Sequence, residues 1–351
     1  LTVLFSSVFT FAYVCAQAQS AAPTDSAAGS ALLAAPVEIQ SAYAHARPFL
    51  DYPLPKLQTI VPAVKGVKPD PSQERLPVIL SRTGEVVQAL LPEVPNLTAN
   101  EAVSQVTFPL PYMITDNSQQ AFRGGISNGM QYQTQHKAED KEVQQLVQAR
   151  LLSPVRWKQF NYLILSQPTT DKRVIFDESR TDLHNQGVGL VEQDLNSPSS
   201  TEFGNLWLLF VPENLSQSHF HYVGQQKIDG HETFVVAFAQ DVDRVSIPGE
   251  ISLHGNTYPL FSQGVAWIDQ TTFRIVRLQT DLLAPLPSIQ LRRLTSEIRF
   301  SEVRIRELGS ALWLPKQVEI QWEESNQISA ELHLYTNYRL FHARVKILPP
   351  S

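Results

Sequence analysis

The chain has 351 residues, 43% hydrophobic and 18% charged, with a formal net charge of −6. That length supports one large domain or two ordinary ones with a full core, and the lack of a basic excess argues against a nucleic-acid partner, which is held by clustered Lys and Arg. The 24 prolines speak against a helical bundle, and the single Cys rules out a disulfide framework.

Leu1 to Val14 is an apolar run followed by Ala16-Gln17-Ala18. An A-x-A site after such a run predicts a signal peptide over residues 1–18, cleavage after Ala18 and a periplasmic or secreted protein. The run is short for a membrane span, and no other stretch is apolar enough to give the mature chain an integral one. An uncleaved anchor and lipid attachment at Cys15 are alternatives, the second disfavoured by bulky Tyr13 and Val14. With Cys15 removed, thiol catalysis and Cys-based metal sites are not expected.

Residues 19–75 are rich in Ala, Ser and Pro, with little apolar periodicity. This composition predicts a disordered or polyproline-like linker. Leu76 to Leu91 carries Ile79, Leu80, Val86, Val87, Leu90 and Leu91 at helical spacing and is stopped by Pro92 and Pro95. Asn96-Leu97-Thr98 opens a strand expected to run through Phe108. His136 to Leu152, with Val143, Leu146, Val147 and Leu151 on one side, predicts a helical insertion.

From Val155 onward strands dominate. Asn205 to Val211 is apolar after its first residue and reads as a strand buried on both faces or a short helix. Asp229-Gly230 between two strand patterns is a hairpin signal, and Ser325-Asn326 marks a later turn. A slip in alternation near Ser301-Glu302 predicts a β-bulge. Short loops mean antiparallel neighbours, so the roughly ten strands predict a meander that curls. The fold class is mainly β (α+β): a large curved antiparallel sheet, or half-barrel, packed on one or two helices over residues 76–348.

Within it, Glu297-Ile298-Arg299-Phe300, Gln317 to Glu323 and Glu331-Leu332-His333-Leu334 alternate polar and apolar residues. Period two gives one wet and one dry face. Trp267, Phe273, Ile275, Phe300, Val318, Ile320, Trp322, Leu332 and Leu334 are expected to share the dry, concave side and to line a pocket for a hydrophobic ligand.

No constellation points to catalysis. His219 and His221 lie at i, i+2 with no third metal ligand evident, and His231-Glu232 lacks the second His of a zincin helix because Val235 stands there. Asp177-Glu178 point to opposite faces of a strand, and no Gly-x-Ser-x-Gly occurs. Arg292, Arg293, Arg299, Arg304 and Arg306 interleave with Glu297 and Glu302 as on a salt-bridged surface, or as an anionic-headgroup patch. No catalytic residue, metal or cofactor is assigned.

Phe160 to Leu165, Lys227 to Val236, Gly264 to Asp269 and Ala311-Leu312-Trp313-Leu314-Pro315 resemble segments of uncharacterised secreted proteins of acidobacteria and other Gram-negative soil bacteria. The architecture of that group resembles the LolA- and RseB-like lipoprotein-carrier half-barrels, which implies a non-enzymatic periplasmic protein. The resemblance implies a lipid or lipoprotein acyl chain as ligand, or an envelope lipoprotein as partner. The alternative is an envelope structural or protein-interaction module with no small-molecule ligand.

Overall fold

The computed structural model describes residues 32–109, 153–168, 174–183, 187–188, 206–246, 248–253 and 256–341. The expected signal peptide, the linker residues 19–31 and the helical insertion 136–152 lie outside them.

The elements run α1 (Val37–Ala44), α2 (Leu54–Ile60), β1 (Lys68–Pro69), α3 (Leu76–Leu90), β2 (Leu97–Pro109), β3 (Val155–Pro168), β4 (Val174–Thr181), β5 (Gly187–Val188) and β6 (Ser218–Ile228). They continue through β7 (His231–Gln240), β8 (Gly249–Leu253), β9 (Asn256–Leu260), β10 (Ser262–Asp269), β11 (Ile275–Leu282), β12 (Leu291–Val303), β13 (Leu312–Glu324) and β14 (Gln327–Leu340). The protein is mainly β, as expected. One antiparallel sheet of 12 strands has the order β1-β6-β7-β10-β11-β12-β13-β14-β2-β3-β4-β5, and β8 and β9 form a separate hairpin. It is a meander from β10 to β14 and again from β2 to β5. Between them the late strand β14 pairs with the early strand β2, a join that local spacing does not foretell.

Turn chemistry sets the hairpins. Asp229 and Gly230 have φ of 47° and 87°, and Ser325 and Asn326 have φ of 50° and 63°. Two successive positive φ values make turns whose twist matches that of the flanking strands. The bulge sits close to where it is expected but on the partner strand. Arg299 pairs with Gln317 and Phe300 with Pro315, so Lys316 is the extra residue. Pro315 supplies no N–H to the ladder, which makes this the tolerable place to break it.

Helix α3 forms as expected, burying Ile79, Thr83, Gly84 and Val87. Gly84 is needed for close approach, since a Cβ there would lie 2.9 Å from the Phe210 carbonyl oxygen. The apolar run after Asn205 takes its helical alternative, a 3-10 turn over Trp207–Phe210. Phe210 meets Phe220 and Phe238 at ring distances of 5.8 Å each, so α3 and this turn cover the sheet face that carries those rings.

Residues 37–75 are the main departure from expectation. Instead of an unpacked linker they form α1, α2 and β1, and Ile39, Tyr43, Phe49, Leu57, Ile60, Val61 and Val64 are buried. The prolines precede or open short helices (Pro36, Pro53, Pro62), where a missing N–H costs nothing. Helices this short are not stable alone; packing against the sheet holds them. Tyr43 packs edge-on to Phe261 at 4.8 Å, and Gln226 Nε2 donates to the carbonyls of Ala63 (3.0 Å) and Lys65 (2.9 Å). The chain then passes the β6 edge as β1, where Gly224 leaves room, since a Cβ there would lie 2.1 Å from the Lys68 carbonyl oxygen. Beyond it, Gln73 stands in for a neighbouring strand, accepting from Tyr222 N–H (2.8 Å) and donating to Tyr222 O (2.9 Å).

Candidate functional site

Pairing register sorts the side chains onto two faces, because directly opposed residues project the same way. One row of the first face, the one under α3, reads Val236, Ala266, Leu278, Ile298, Val318, His333, Val103 and Lys158. The corresponding row of the second face reads Val235, Trp267, Arg277, Arg299, Gln317, Leu334, Ala102 and Gln159.

The nine apolar residues expected to share one side are therefore divided. Ile275, Phe300, Val318, Ile320 and Trp322 lie on the first face and are buried in the core. Phe273 occupies the β10–β11 turn, 6.0 Å from the ring of Phe234 and under the Arg82 guanidinium. Trp267, Leu332 and Leu334 lie on the second face. Trp267 is fully buried there: Arg277 stacks on its ring at 4.8 Å and its Nε1 donates to Gln226 Oε1 at 2.9 Å.

Strand β14 reverses the expected polarity. Glu331 and His333 are each 1% exposed, whereas Leu334 is 37% exposed. The polar residues of Glu331-Leu332-His333-Leu334 face inward. They belong to an ion cluster spread over β14, β2, β3 and β4. Glu101 on β2 accepts four hydrogen bonds: from Arg180 Nε (2.6 Å) and Nη2 (2.8 Å), His333 Nδ1 (2.8 Å) and the Tyr335 hydroxyl (3.0 Å). His333 Nε2 faces Glu331 Oε2 at 3.1 Å, and Gln105 Nε2 donates to Glu331 Oε1 at 3.1 Å. The Tyr162 hydroxyl donates to Glu178.

Burial alone would raise the pKa of Glu101, but hydrogen bonds from His333 and Arg180, with their charges, bring it down to about 2. Burial opposes charge on His333 too, yet its bonds to Glu101 and Glu331 hold its pKa above the ordinary value. Tyr162, Tyr335 and Tyr338 are pushed well up, first by burial and then by the carboxylates around them.

On the second face, Arg277 and Arg299 both pair with Glu297, the latter at 2.9 Å. Arg292 meets Glu323 at 3.5 Å and Arg304 meets Glu302 at 3.0 Å. Arg292, Arg299 and Arg304 of the arginine-rich stretch thus make internal ion pairs. Glu319, opposite Glu297, has a raised pKa from burial and from that neighbouring charge. Farther along, the second face of β14, β2 and β3 carries buried apolar side chains, Val106, Phe108, Ile328 and Ala330, and exposed ones beside them. Trp157 is 72%, Val155 50% and Leu334 37% exposed. Trp157 and Leu332 both oppose Ser104, while Leu334 opposes Ala102. On the central strand Ser104 lies between Leu332 and Trp157, and Ala102 lies between Leu334 and Gln159. Sequence reading missed Trp157 because it falls in a strand reached only through the β2–β3 pairing.

Among the described residues, the paired hydroxyls, carboxylates and imidazoles do not assemble a nucleophile with its base. His231 bonds to Asp269 at 2.8 Å, but Asp269 Oδ1 is occupied capping the N–H groups of Thr271 (3.0 Å) and Thr272 (2.7 Å). Among the described residues no group of three His, Cys, Asp or Glu side chains is placed to hold a metal ion, and no described helix is long and apolar enough to cross a membrane.

No protein-family model matches the sequence, and no curated protein matches it. Solved structures do. The chain is similar to a DUF1329 family protein from Desulfovibrio piger, at 10% identity over 77% of this chain and 93% of that one, with a TM-score of 0.36. It is similar to a LolA superfamily protein from Nitrosomonas europaea, at 12% identity over 76% and 94%, with a TM-score of 0.28. A third, a domain from Vibrio parahaemolyticus described as an outer membrane lipoprotein-sorting protein, shares 10% identity over 74% and 92%, with a TM-score of 0.31.

Proposed function

We propose that this is a non-enzymatic protein of the bacterial envelope that holds a hydrophobic ligand, such as a lipid or lipoprotein acyl chain, against the second face of β14, β2 and β3. The observation that carries the reading is the exposure of Trp157, Val155 and Leu334 around Ala102 and Ser104 on three adjacent strands. Clustered large apolar side chains left in water mark a contact surface. The first face is a poorer host, because its expected pocket residues Phe300, Val318, Ile320 and Trp322 are already in the core with α3 and Trp207. The indole of Trp207 lies 5.4 Å from Phe300 on β12 and 6.4 Å from Phe176 on β4. Those strands are five places apart in the sheet order, about 24 Å if the sheet were flat. That shared contact supports a sheet curled around its first face, with the proposed ligand surface on the outer side.

Titration of the full chain with a fluorescent fatty acid tests the proposal. Trp157→Ser is expected to weaken binding about tenfold, as loss of a large apolar contact does. Unchanged affinity, or no binding by the parent chain, overturns it. The same surface serves the second reading, an envelope interaction module. A stoichiometric protein recovered from envelope extract by the parent and lost with Trp157→Ser, without lipid, selects that reading.

A further inference from the structure

A buried cluster with no part in that ligand surface joins the strands that carry it. His333 places both ring nitrogens on carboxylates, Nδ1 at 2.8 Å from Glu101 on β2 and Nε2 at 3.1 Å from Glu331 on its own strand. A carboxylate only accepts, and a neutral imidazole donates from one nitrogen; the imidazolium alone donates to both. Each carboxylate also has other donors. Arg180 and Tyr335 supply Glu101, and Gln105 supplies Glu331. Across the sheet, His333 is opposed by Val318 on β13 and Val103 on β2, which offer no alternative partner. Among the described residues, the other titratable or charged groups around the cluster are Tyr162 on β3, Glu178 on β4, Tyr338 on β14, Lys158 on β3 in the row of His333 and Arg156 on β3 in the row of Glu331 and Gln105.

We infer that the Glu101–His333–Glu331 bridge is a pH-responsive tie between β14 and β2, closed when His333 is an imidazolium and loosened when it loses its proton. A lone pair then faces a carboxylate oxygen inside a buried site, where such a contact is repulsive and not screened by water. The raised pKa of His333 sets the direction. A histidine whose folded pKa is raised contributes stability that is fully present below its unfolded value, near 6.5, and is lost as pH climbs through the folded value. The tie therefore opens on the alkaline side.

This inference does not depend on ligand binding, so its test uses the protein alone. The full chain with ¹³C-labelled histidine is titrated from pH 5 to 10 by NMR, and amide protection in β2 and β14 is followed by hydrogen exchange corrected for the intrinsic pH dependence. His333 is expected to titrate above 6.5, and protection of both strands is expected to fall severalfold over the same interval. In His333→Gln the fall should vanish. If that variant does not fold, the parent titration decides alone. An imidazole titrating at or below its ordinary value, or β2 and β14 protection flat through the titration, overturns the inference.

Discussion

Val318, Ile320 and Trp322 on β13 stand directly opposite His333, Glu331 and Ser329 on β14, and all six are buried. Within one strand-to-strand step the first face changes from an apolar core to an ion cluster. From β6 to β13, burial is favourable in itself, at roughly 25 cal/mol per Å² of apolar surface. From β14 to β4, burial is unfavourable until every charge has found its partners. The first region tolerates any set of side chains that fills the space. The second works only as a complete set, which makes it the more specific part of the sheet and the more fragile one.

The largest effect comes from breaking that set. Glu101→Gln leaves Arg180 and His333 buried with half their acceptors gone, and urea unfolding should show a loss of about 3–5 kcal/mol. A core truncation such as Trp322→Ala costs a similar amount, about 3–5 kcal/mol, so single changes do not tell the regions apart. Joint replacement does. Changing Glu101→Leu, Arg180→Met, His333→Leu and Glu331→Gln together should restore most of the loss, since all four ionic members of the bridge are then removed and the new amide can still pair with Gln105. A quadruple variant as unstable as the sum of its singles would mean that the cluster stabilises the fold by more than mutual satisfaction.

Acid sharpens the same contrast without mutation. The Glu101 pKa falls from 4.5 to about 2 on folding, so its contribution is present above 4.5 and is lost as pH drops toward 2. The shift corresponds to about 3 kcal/mol. Unfolding midpoints should decline over that window in the parent chain and much less in Glu101→Gln. Equal declines in both would assign the acid lability to other carboxylates.

The two regions also differ in how far they could be read beforehand. Helix α3, the turns at Asp229-Gly230 and Ser325-Asn326, and the burial of Val318 and Ile320 follow from local periodicity and turn chemistry. Strand β14 does not. The alternation of Glu331-Leu332-His333-Leu334 fixes that two faces exist but not which one is dry, and the ordinary preference for leucine inside is overridden by partners far away in sequence. Glu101 lies 232 residues from His333. Arg180 and Tyr162 come from strands reached only through the β14–β2 pairing. The proline-rich stretch failed differently: Ile39 and Tyr43 at i, i+4 and Leu57, Ile60, Val61 and Val64 at i, i+3, i+4, i+7 do follow helical spacing, but each run is short and interrupted by prolines, and they are buried against a sheet assembled from later residues.

The smallest expected effect is the most direct check of that reversal. If Leu334 faces water while His333 faces inward, Leu334→Ser should shift stability by no more than about 0.5 kcal/mol, the range for exposed positions away from special features. Its neighbour behaves oppositely, because His333→Leu leaves Glu101 and Glu331 each short of a donor and should cost several times more. Ordinary hydrophobic ranking forecasts the reverse order, with loss of leucine costly and gain of leucine harmless. Urea unfolding of the two single variants separates the alternatives. A costly Leu334→Ser with a harmless His333→Leu would place β14 in the other register, since a one-residue slip exchanges the faces of a strand. Near-neutrality at Leu334 would leave that side chain available for contact with a ligand, as its exposure beside Ala102 implies.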